Sequence, residues 1–360
     1  MFSLRDKKLA HEIISQIKKM KVQLKFMHVC GTHQDTLVKN GLDVLFKECD
    51  ITIGQGPGCP VCVTTPLEIE AMLLLARNGK TIATFGDMVN VPGEYHSLQS
   101  MRTEGYDVRT VYSIEDAVSI AEKQRGKEIV FMAVGFETTA PTTASVLLKK
   151  IPSNFSVFSC HRIIPPALKA ILDMGEIKID GFIEPGHVST IIGTKPYGFI
   201  SKDYHVPQVV AGFEPLDLLM GVWILVQQIE RGEVSVINEY TRAVREEGNV
   251  KAQQVIAEVF MLADKKWRGF PTIPQSSLAL RDTFDTYDAS KKYEDELAEL
   301  KDKEFKEPKG CRCGELLRGL ASPYECPLFG SKCTPDSPVG PCMVSIEGSC
   351  NIEYRYAKKQ

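Results

Sequence analysis

From about residue 21 to 215 the chain repeats one pattern: a short apolar run, a turn rich in Gly, Pro and Thr, then a helical stretch. The runs are LKFMHVC (24–30), ITIG (51–54), TIATFG (81–86), DVRTVY (107–112), EIVFMAVG (128–135), FSVFSC (155–160), IDGFIEPG (179–186) and PQVVAGFE (207–214). Short apolar runs alternating with helix patterns such as Pro66 to Arg77 and Ile114 to Gln124 predict βαβ units and parallel sheets, because strands buried on both faces lose the in–out alternation. Eight strands can form one sheet or two. The reading adopted is two small sheets of about four consecutive strands, broken near the charged stretch Glu122 to Glu128. The phrases AVGFETTAP and VAGFEPLD are a weak internal echo, too short to establish duplication. After Pro215 the pattern predicts no further strands: Leu216 to Glu230 and Val250 to Leu262 read as amphipathic helices. A polar, charged stretch follows from Arg281 to Lys309, and a linker ends at Pro308-Lys309-Gly310.

Composition changes this picture little until the cysteines are counted. The 360 residues carry 43 Lys+Arg against 46 Asp+Glu, a formal net charge of −3. Near-neutral charge without a long basic block gives no electrostatic footprint for nucleic acid. The first twenty residues mix charged and apolar positions at helical spacing, unlike a signal peptide. The most apolar stretch, Val209 to Ile229, is interrupted by Glu214 and Asp217 and cannot cross a bilayer cheaply. A soluble, cytoplasmic protein, monomeric on its own, is expected. Of its 11 cysteines, however, six (Cys311, Cys313, Cys326, Cys333, Cys342, Cys350) fall in the last 50 residues. In a reducing compartment such clustering reads as metal binding or thiol chemistry rather than disulfides.

Four tail cysteines read Cys311-x14-Cys326-x6-Cys333-x16-Cys350, leaving Cys313 and Cys342 over. Zinc modules usually pair cysteines as C-x2-C knuckles, and this tail has none. Long irregular spacings suit an iron–sulfur cluster, whose iron corners each take a thiolate from a different loop. Cys311 and Cys313 lie too close together to bind one small cluster easily, so Cys313 and Cys342 read as a dithiol beside it. The tail prolines Pro323, Pro327, Pro335, Pro338 and Pro341 and the lack of periodicity indicate a segment that a cluster must organise. The fold class expected is therefore α/β: two small parallel-sheet domains, 1–125 and 126–215, and a mainly helical, cysteine-rich iron–sulfur domain, 216–360.

The other cysteines of interest lie in strand-end loops. Cys30 ends a strand, Gly31 allows a sharp turn, and Thr32 with Asp35 resembles a helix N-cap with its acidic third position. A thiol ahead of that helix feels the positive end of its dipole, which favours thiolate. His33 is close enough to share a proton or an ion. Cys59 and Cys62 form a C-x-x-C bracketed by Gly56, Pro57, Gly58 and Pro60, and Thr65-Pro66-Leu67-Glu68 looks like a capping box, putting the thiols about one turn short of a helix. Such a pair closes a disulfide reversibly or chelates a soft metal. A thioredoxin-like reading is weaker, since that motif runs directly into its helix, and two buried free thiols are hard to sustain in so glycine-rich a loop. Asp87, Glu137 and His187 end three more strands. Sites form at the carboxyl ends of parallel strands, so Cys30, Cys59, Cys62, Asp87, Glu137 and His187 are expected to converge on one cleft. Capping or bracing a loop is an equally good role for each of the last three. His161, Cys49 and the remaining histidines read as structural. No phosphate loop, dinucleotide fingerprint or serine-hydrolase elbow is present.

Taken in order, CGTHQ (30–34), GPGCPVC (56–62), FGDMVNVPG (85–93), GFETTAPTTA (135–144), EPGHVS (184–189) and the tail spacing resemble the HypD family of hydrogenase maturation factors over most of the chain. The resemblance implies two α/β domains and a third with a [4Fe–4S] cluster in surroundings like those of ferredoxin:thioredoxin reductase. It implies a scaffold that works with the small partner HypC, on which iron acquires two cyanides and one carbonyl for [NiFe]-hydrogenase. Cyanide would come from HypE, charged by HypF. Carried over by motif, Cys30 would bind the iron, the Fe(CN)2(CO) intermediate, jointly with a HypC cysteine. Cys59 and Cys62 would be assisting redox thiols, Cys311, Cys326, Cys333 and Cys350 the cluster ligands, and Cys313 with Cys342 a dithiol relay. His33, Glu137 and His187 would complete the site. The chemistry agrees: thiolates suit soft, electron-rich iron, and thiol pairs beside a cluster can move two electrons. Two other classes remain: an iron–sulfur-dependent disulfide reductase acting on another protein, and a zinc-stabilised binding protein.

Overall fold

A computed structural model describes residues 6–356. Among these, eleven strands form three sheets: β1 (Leu24–His28), β2 (Ile51–Gln55), β3 (Thr81–Thr84), β4 (Val108–Thr110), β5 (Ile129–Gly135), β6 (Phe155–His161), β7 (Gly181–Pro185), β8 (Gln208–Ala211), β9 (Val236–Asn238), β10 (Phe260–Lys266) and β11 (Thr272–Leu280). A five-stranded sheet runs β2-β1-β7-β8-β9 and a four-stranded sheet β4-β3-β5-β6, while β10 and β11 pair alone. Every pairing in the two larger sheets is parallel. The α/β class with parallel sheets and a cysteine-rich carboxyl-terminal region is thus what the chain adopts.

The two sheets expected are present, but they are not consecutive halves of the chain. β3 to β6 build one sheet, whereas β1 and β2 join β7 and β8, which lie far downstream. The stretch Glu122 to Glu128 precedes β5, which pairs with β3 from before that stretch, so a break at 125/126 does not follow the sheets. An apolar run marks a buried strand, yet nothing in it names the neighbour; the partner is chosen by packing at long range.

Alternate residues of the central strands feed opposite layers. Phe26, Ile183 and Val209 pack on the outer face of the first sheet, and Phe131, Ala133 and Val157 on the outer face of the second. Met27, Val29, Val130, Met132, Phe182 and Val210 fill one core shared by both sheets, which also takes in Leu316 and Met343 of the tail. Both faces of both sheets are therefore covered, as their unbroken apolar runs require.

Strands do not stop at Pro215. The helix expected from Leu216 to Glu230 is found as Pro215–Arg231, closed by Gly232 in the left-handed conformation. The expected helix at Val250 to Leu262 ends at Val259, and Phe260 begins the antiparallel β10–β11 hairpin. A hairpin with one solvated face shows polar alternation rather than an apolar run, and β10 is mostly exposed beyond Phe260. The carboxyl-terminal third is accordingly not purely helical. No helix among the described residues is long and apolar enough to cross a membrane.

Candidate functional site

In the five-stranded sheet, β1 has β2 on one side and β7 on the other; in the four-stranded sheet, β3 has β4 on one side and β5 on the other. At such reversals the loops leaving the carboxyl ends diverge and open a crevice. Cys30 and His187 follow β1 and β7; Asp87 and Glu137 follow β3 and β5. The residues singled out from sequence lie at these two reversals.

Cys30 itself is the N-cap of the helix Gly31–Lys39, with extended backbone and no capping hydrogen bond from its side chain. The cap expected at Thr32 and Asp35 is therefore displaced: the chain turns into the helix at once. Only 9% of Cys30 is exposed. Burial, and after it the carboxylate of Glu347, push its thiol up to about 11, against the Thr32 and His33 amides that favour the anion. The expected dipole effect is present but is outweighed by desolvation. Glu347 belongs to a strap, Ser345 to Glu347, lying so close that a Cβ on Gly31 would sit 2.5 Å from the Glu347 carbonyl oxygen. Asp87 fastens this strap, accepting from Ser345 Oγ at 3.1 Å and from the Ile346 amide at 3.3 Å. Asp87 is a latch for the loop over Cys30.

The C-x-x-C loop touches the Cys30 loop directly. Gly31 N–H donates to Gly58 O at 3.4 Å, and a Cβ on Gly58 would fall 2.2 Å from the Cys30 nitrogen. Only glycine permits that approach. Cys59 caps the four-residue helix Pro60–Val63, accepting from the Cys62 amide at 3.2 Å. The motif thus runs straight into a helix, contrary to expectation; the predicted Thr65–Glu68 capping box opens the next one, Pro66–Arg77. Cys59 and Cys62 are joined as a disulfide and are both fully buried. Of the two roles open to such a pair, the structure shows the disulfide.

His33 donates from Nε2 to Gly212 O and Ala211 O at 3.0 and 3.2 Å, which leaves Nδ1 as a buried lone pair without a partner. Burial, then His28, lower its pKa to about 3. His187 stacks on Phe213 at 3.8 Å between centroids, and His33 packs on the same ring at 4.9 Å. Glu137 accepts from the Ile164 amide at 3.0 Å through Oε1. Its Oε2 is buried without a partner, and burial raises its pKa to about 7. Of the expected set, Cys30 and the C-x-x-C loop are in direct contact, His33 and His187 share one aromatic ring, and Glu137 is brought to the same region only through Tyr197, whose hydroxyl feels the charges of Glu184, Glu137 and Cys30.

Three residues here were not singled out by sequence. His28, set aside as structural, accepts the Cys30 N–H at Nδ1 (3.4 Å) and donates to Gln34 Oε1 at 2.7 Å; Gln34 then donates to Glu353 at 2.9 Å. The chain of bonds ties the Cys30 loop to the helix that carries Cys350. Its only signal was a polar residue inside an apolar strand run. Glu184 and Tyr197 are fully buried; Glu184 showed the same signal, and Tyr197 none.

All six tail cysteines line one small, tightly walled cavity. Cys342 and Cys313 share a hydrogen bond that lowers the Cys313 thiol and raises that of Cys342. Cys333 Sγ accepts from Val339 N at 3.3 Å, and a Cβ on Gly340 would lie 2.7 Å from Cys311 Sγ. Burial pushes the Cys311 thiol up to about 12. Among the described residues no three His, Cys, Asp or Glu side chains converge on one point as a single ion requires. Thiols that line one space are the donor set an iron–sulfur cluster would take, one at each metal corner. Cys62 Sγ lies 3.9 Å from the carbonyl oxygen of Pro341, the neighbour of Cys342.

An α/β protein with two parallel sheets, a strand-end cysteine, a buried C-x-x-C disulfide and a six-thiol cavity is a protein built around buried thiols. The family model described as Hydrogenase formation hypA family, HypD, matches residues 6–357. The chain is 48% identical to a hydrogenase expression/formation protein of Methanocaldococcus jannaschii, over 99% of this chain and 100% of that one. It is 42% identical to the hydrogenase maturation factor HypD of Rhizobium leguminosarum bv. viciae, over 98% and 94%. Identity to the protein of that name from Escherichia coli is also 42%, over 94% and 90%. The chain belongs to the HypD family of hydrogenase maturation factors.

Proposed function

We propose that the chain is the scaffold on which, with HypC, iron receives its cyanide and carbonyl ligands for [NiFe]-hydrogenase. Cys30 holds the iron, shared with a thiolate of HypC, and HypE presents the cyano group. Release of cyanide from a thiocyanate donor takes up two electrons and one proton, RSCN + 2e⁻ + H⁺ giving RSH and CN⁻, so a reductant must stand beside the iron. One observation carries this reading. The Cys59–Cys62 segment touches the Cys30 loop through Gly58 at one end and the Cys342 segment through Pro341 at the other.

Cys311, Cys326, Cys333 and Cys350 would hold the [4Fe–4S] cluster, which supplies single electrons there. The protein's own part is thiol exchange. The anion of Cys313, favoured by the hydrogen bond from Cys342, attacks the Cys59–Cys62 disulfide. Cys342 then resolves the mixed disulfide, so that two electrons and two protons pass from one pair to the other. Burial of Cys59 and Cys62 restricts that exchange to partners inside the molecule, which favours a scaffold over a reductase serving an external protein disulfide.

The test is anaerobic co-purification with HypC followed by infrared spectroscopy. Cyanide and carbonyl stretches are expected from the wild type and lost in Cys30→Ala; bands that survive the substitution defeat the reading.

A further inference from the structure

Hairpin turns ordinarily face solvent, but the β10–β11 hairpin is buried at its tip. Met261 and Leu262 on β10 are 45% and 50% exposed, whereas Trp267, Arg268 and Phe270 of the turn are buried. Trp267 anchors the tip, stacked on Phe136 at 6.0 Å between centroids and donating from Nε1 to Ser276 Oγ at 2.9 Å. The Phe270 amide closes the turn on Trp267 O at 3.0 Å.

On one side this tip grips the C-x-x-C segment. The Arg268 amide donates to Val63 O and its Nε to Thr64 O, both at 2.9 Å. Val63 ends the helix that carries Cys62 and Thr64 is its C-cap, so the two bonds take up carbonyls that a helix end leaves unpaired. Glu307 braces the guanidinium through Nη1. On the other side the tip meets the helix Cys313–Leu317. Gly269 has φ +79°, and a Cβ there would lie 2.5 Å from Cα of Gly314, the residue after Cys313; a Cβ on Gly314 would lie 2.9 Å from Gly269 Cα. Backbone meets backbone, which only a pair of glycines allows. Two consecutive residues thus touch the neighbour of Cys62 and the neighbour of Cys313.

We propose that the hairpin tip is a spacer between the two thiol pairs, with Arg268 and Gly269 as positioning residues that set the separation across which the pairs exchange. This rests on the thiol-exchange step of the scaffold reading and names what controls its rate. In that step the Cys59–Cys62 bond breaks, a Cys313–Cys342 bond forms, and two electrons and two protons pass to Cys59 and Cys62. The attacking sulfur must lie in line with the bond that breaks, and a misplacement of about 1 Å costs about 100-fold in rate. The two segments are remote in the chain, and opening the disulfide removes the covalent tie inside the first of them. The bonds from Arg268 to Val63 and Thr64 are made by the backbone carbonyls and do not depend on that tie.

The test uses the full chain purified anaerobically, as wild type, Gly269→Ala, Arg268→Met, Arg268→Lys and Cys313→Ser. Each is mixed with dithionite, a one-electron reductant, then quenched in acid and alkylated, so that peptide masses follow the opening of Cys59–Cys62 with time. Gly269→Ala and Arg268→Met are expected to slow the opening about 10-fold to 100-fold without changing its final extent. Arg268→Lys, which keeps one donor, lies between Arg268→Met and the wild type. A merely loosened fold would do the reverse, since exposing a buried disulfide speeds its reduction. Should Gly269→Ala fail to fold by circular dichroism, the two Arg268 variants decide alone. Opening as fast as in the wild type, or faster, in the tip variants overturns the proposal and leaves the exchange reading intact. A wild-type disulfide that stays closed, or one that opens equally fast in Cys313→Ser, overturns the exchange reading and this proposal with it.

Discussion

The crevice around Cys30 and the cavity of the tail both gather thiols, and they do so by opposite means. In the crevice each group hangs from a buried parallel strand: Cys30 follows β1, the C-x-x-C follows β2, Glu137 follows β5 and His187 follows β7. Backbone hydrogen bonds of the sheets set these positions whether or not iron is present. In the tail the six cysteines sit on loops and on helices as short as Cys313–Leu317 and Pro341–Val344, with no strand between 310 and 356. Their sulfurs point at a central space where a domain of this kind would otherwise have apolar side chains. On the proposed function, the site built on sheets would stand ready for cargo that comes and goes, and the site built on loops would need a resident group to complete its core.

That contrast is broken most forcefully by removing one sulfur from each side. Cys326→Ala is expected to lose the brown colour that the proposed iron–sulfur cluster would give and to loosen residues 310–350, read by limited proteolysis, while the parallel sheets survive. Cys30→Ala should keep the chromophore and change stability by less than about 1 kcal/mol, since the site does not contribute to its own scaffold. Equal loss of order in both variants would erase the distinction.

The rigidity of the crevice depends on a buried ion pair. Glu68, which caps the helix after the C-x-x-C, is gripped by Arg162 at 2.7 and 2.8 Å; Arg162 and Lys265 hold its carboxyl down at about 2 in spite of burial. Arg162→Met leaves that buried carboxylate with only the more exposed Lys265 beside it, at 3.5 Å, and should cost about 3 kcal/mol in urea denaturation.

Glu137 gives a pH signature on the same side. The folded protein keeps its proton up to about 7, whereas the unfolded chain releases it near 4.5. Stability from the neutral group is complete below 4.5 and is lost as pH rises to about 7. Glu137→Gln should remove this slope, gaining up to about 3 kcal/mol relative to wild type at pH 8 and nothing at pH 4. A parallel pair of stability–pH curves would show that Glu137 is not the titrating group.

The smallest effect concerns the strap. Asp87→Ala releases Ser345 and Ile346 at a cost of about 1 kcal/mol, and alkylation of Cys30 should quicken severalfold. Unchanged alkylation means that the strap does not control access.

The two regions also differed in how far the sequence revealed them. Parallel strands were legible because burial on both faces makes them apolar throughout, but the partnership of β1 with β7 depended on packing across some 150 intervening positions and was not. The β10–β11 hairpin escaped because its solvated face breaks the apolar run. Cys30, Cys59 and Cys62 stood out, since glycines bracket them and thiols are rare. Asp87 was read as a cleft residue because its partner Ser345 lies 258 positions away. Glu184 offered only a polar letter at the end of an apolar run, and the lack of a partner for its buried carboxyl is nothing a linear string records. The tail cysteines were countable from the start; only folding shows that all six face one space.

In the proposed function iron occupies two separate kinds of site, and ⁵⁷Fe Mössbauer spectroscopy of the anaerobic protein with HypC counts them directly. A low-spin iron component is expected beside the cluster signal, with only the former vanishing in Cys30→Ala. A spectrum showing the cluster alone, the same in both proteins, would contradict it.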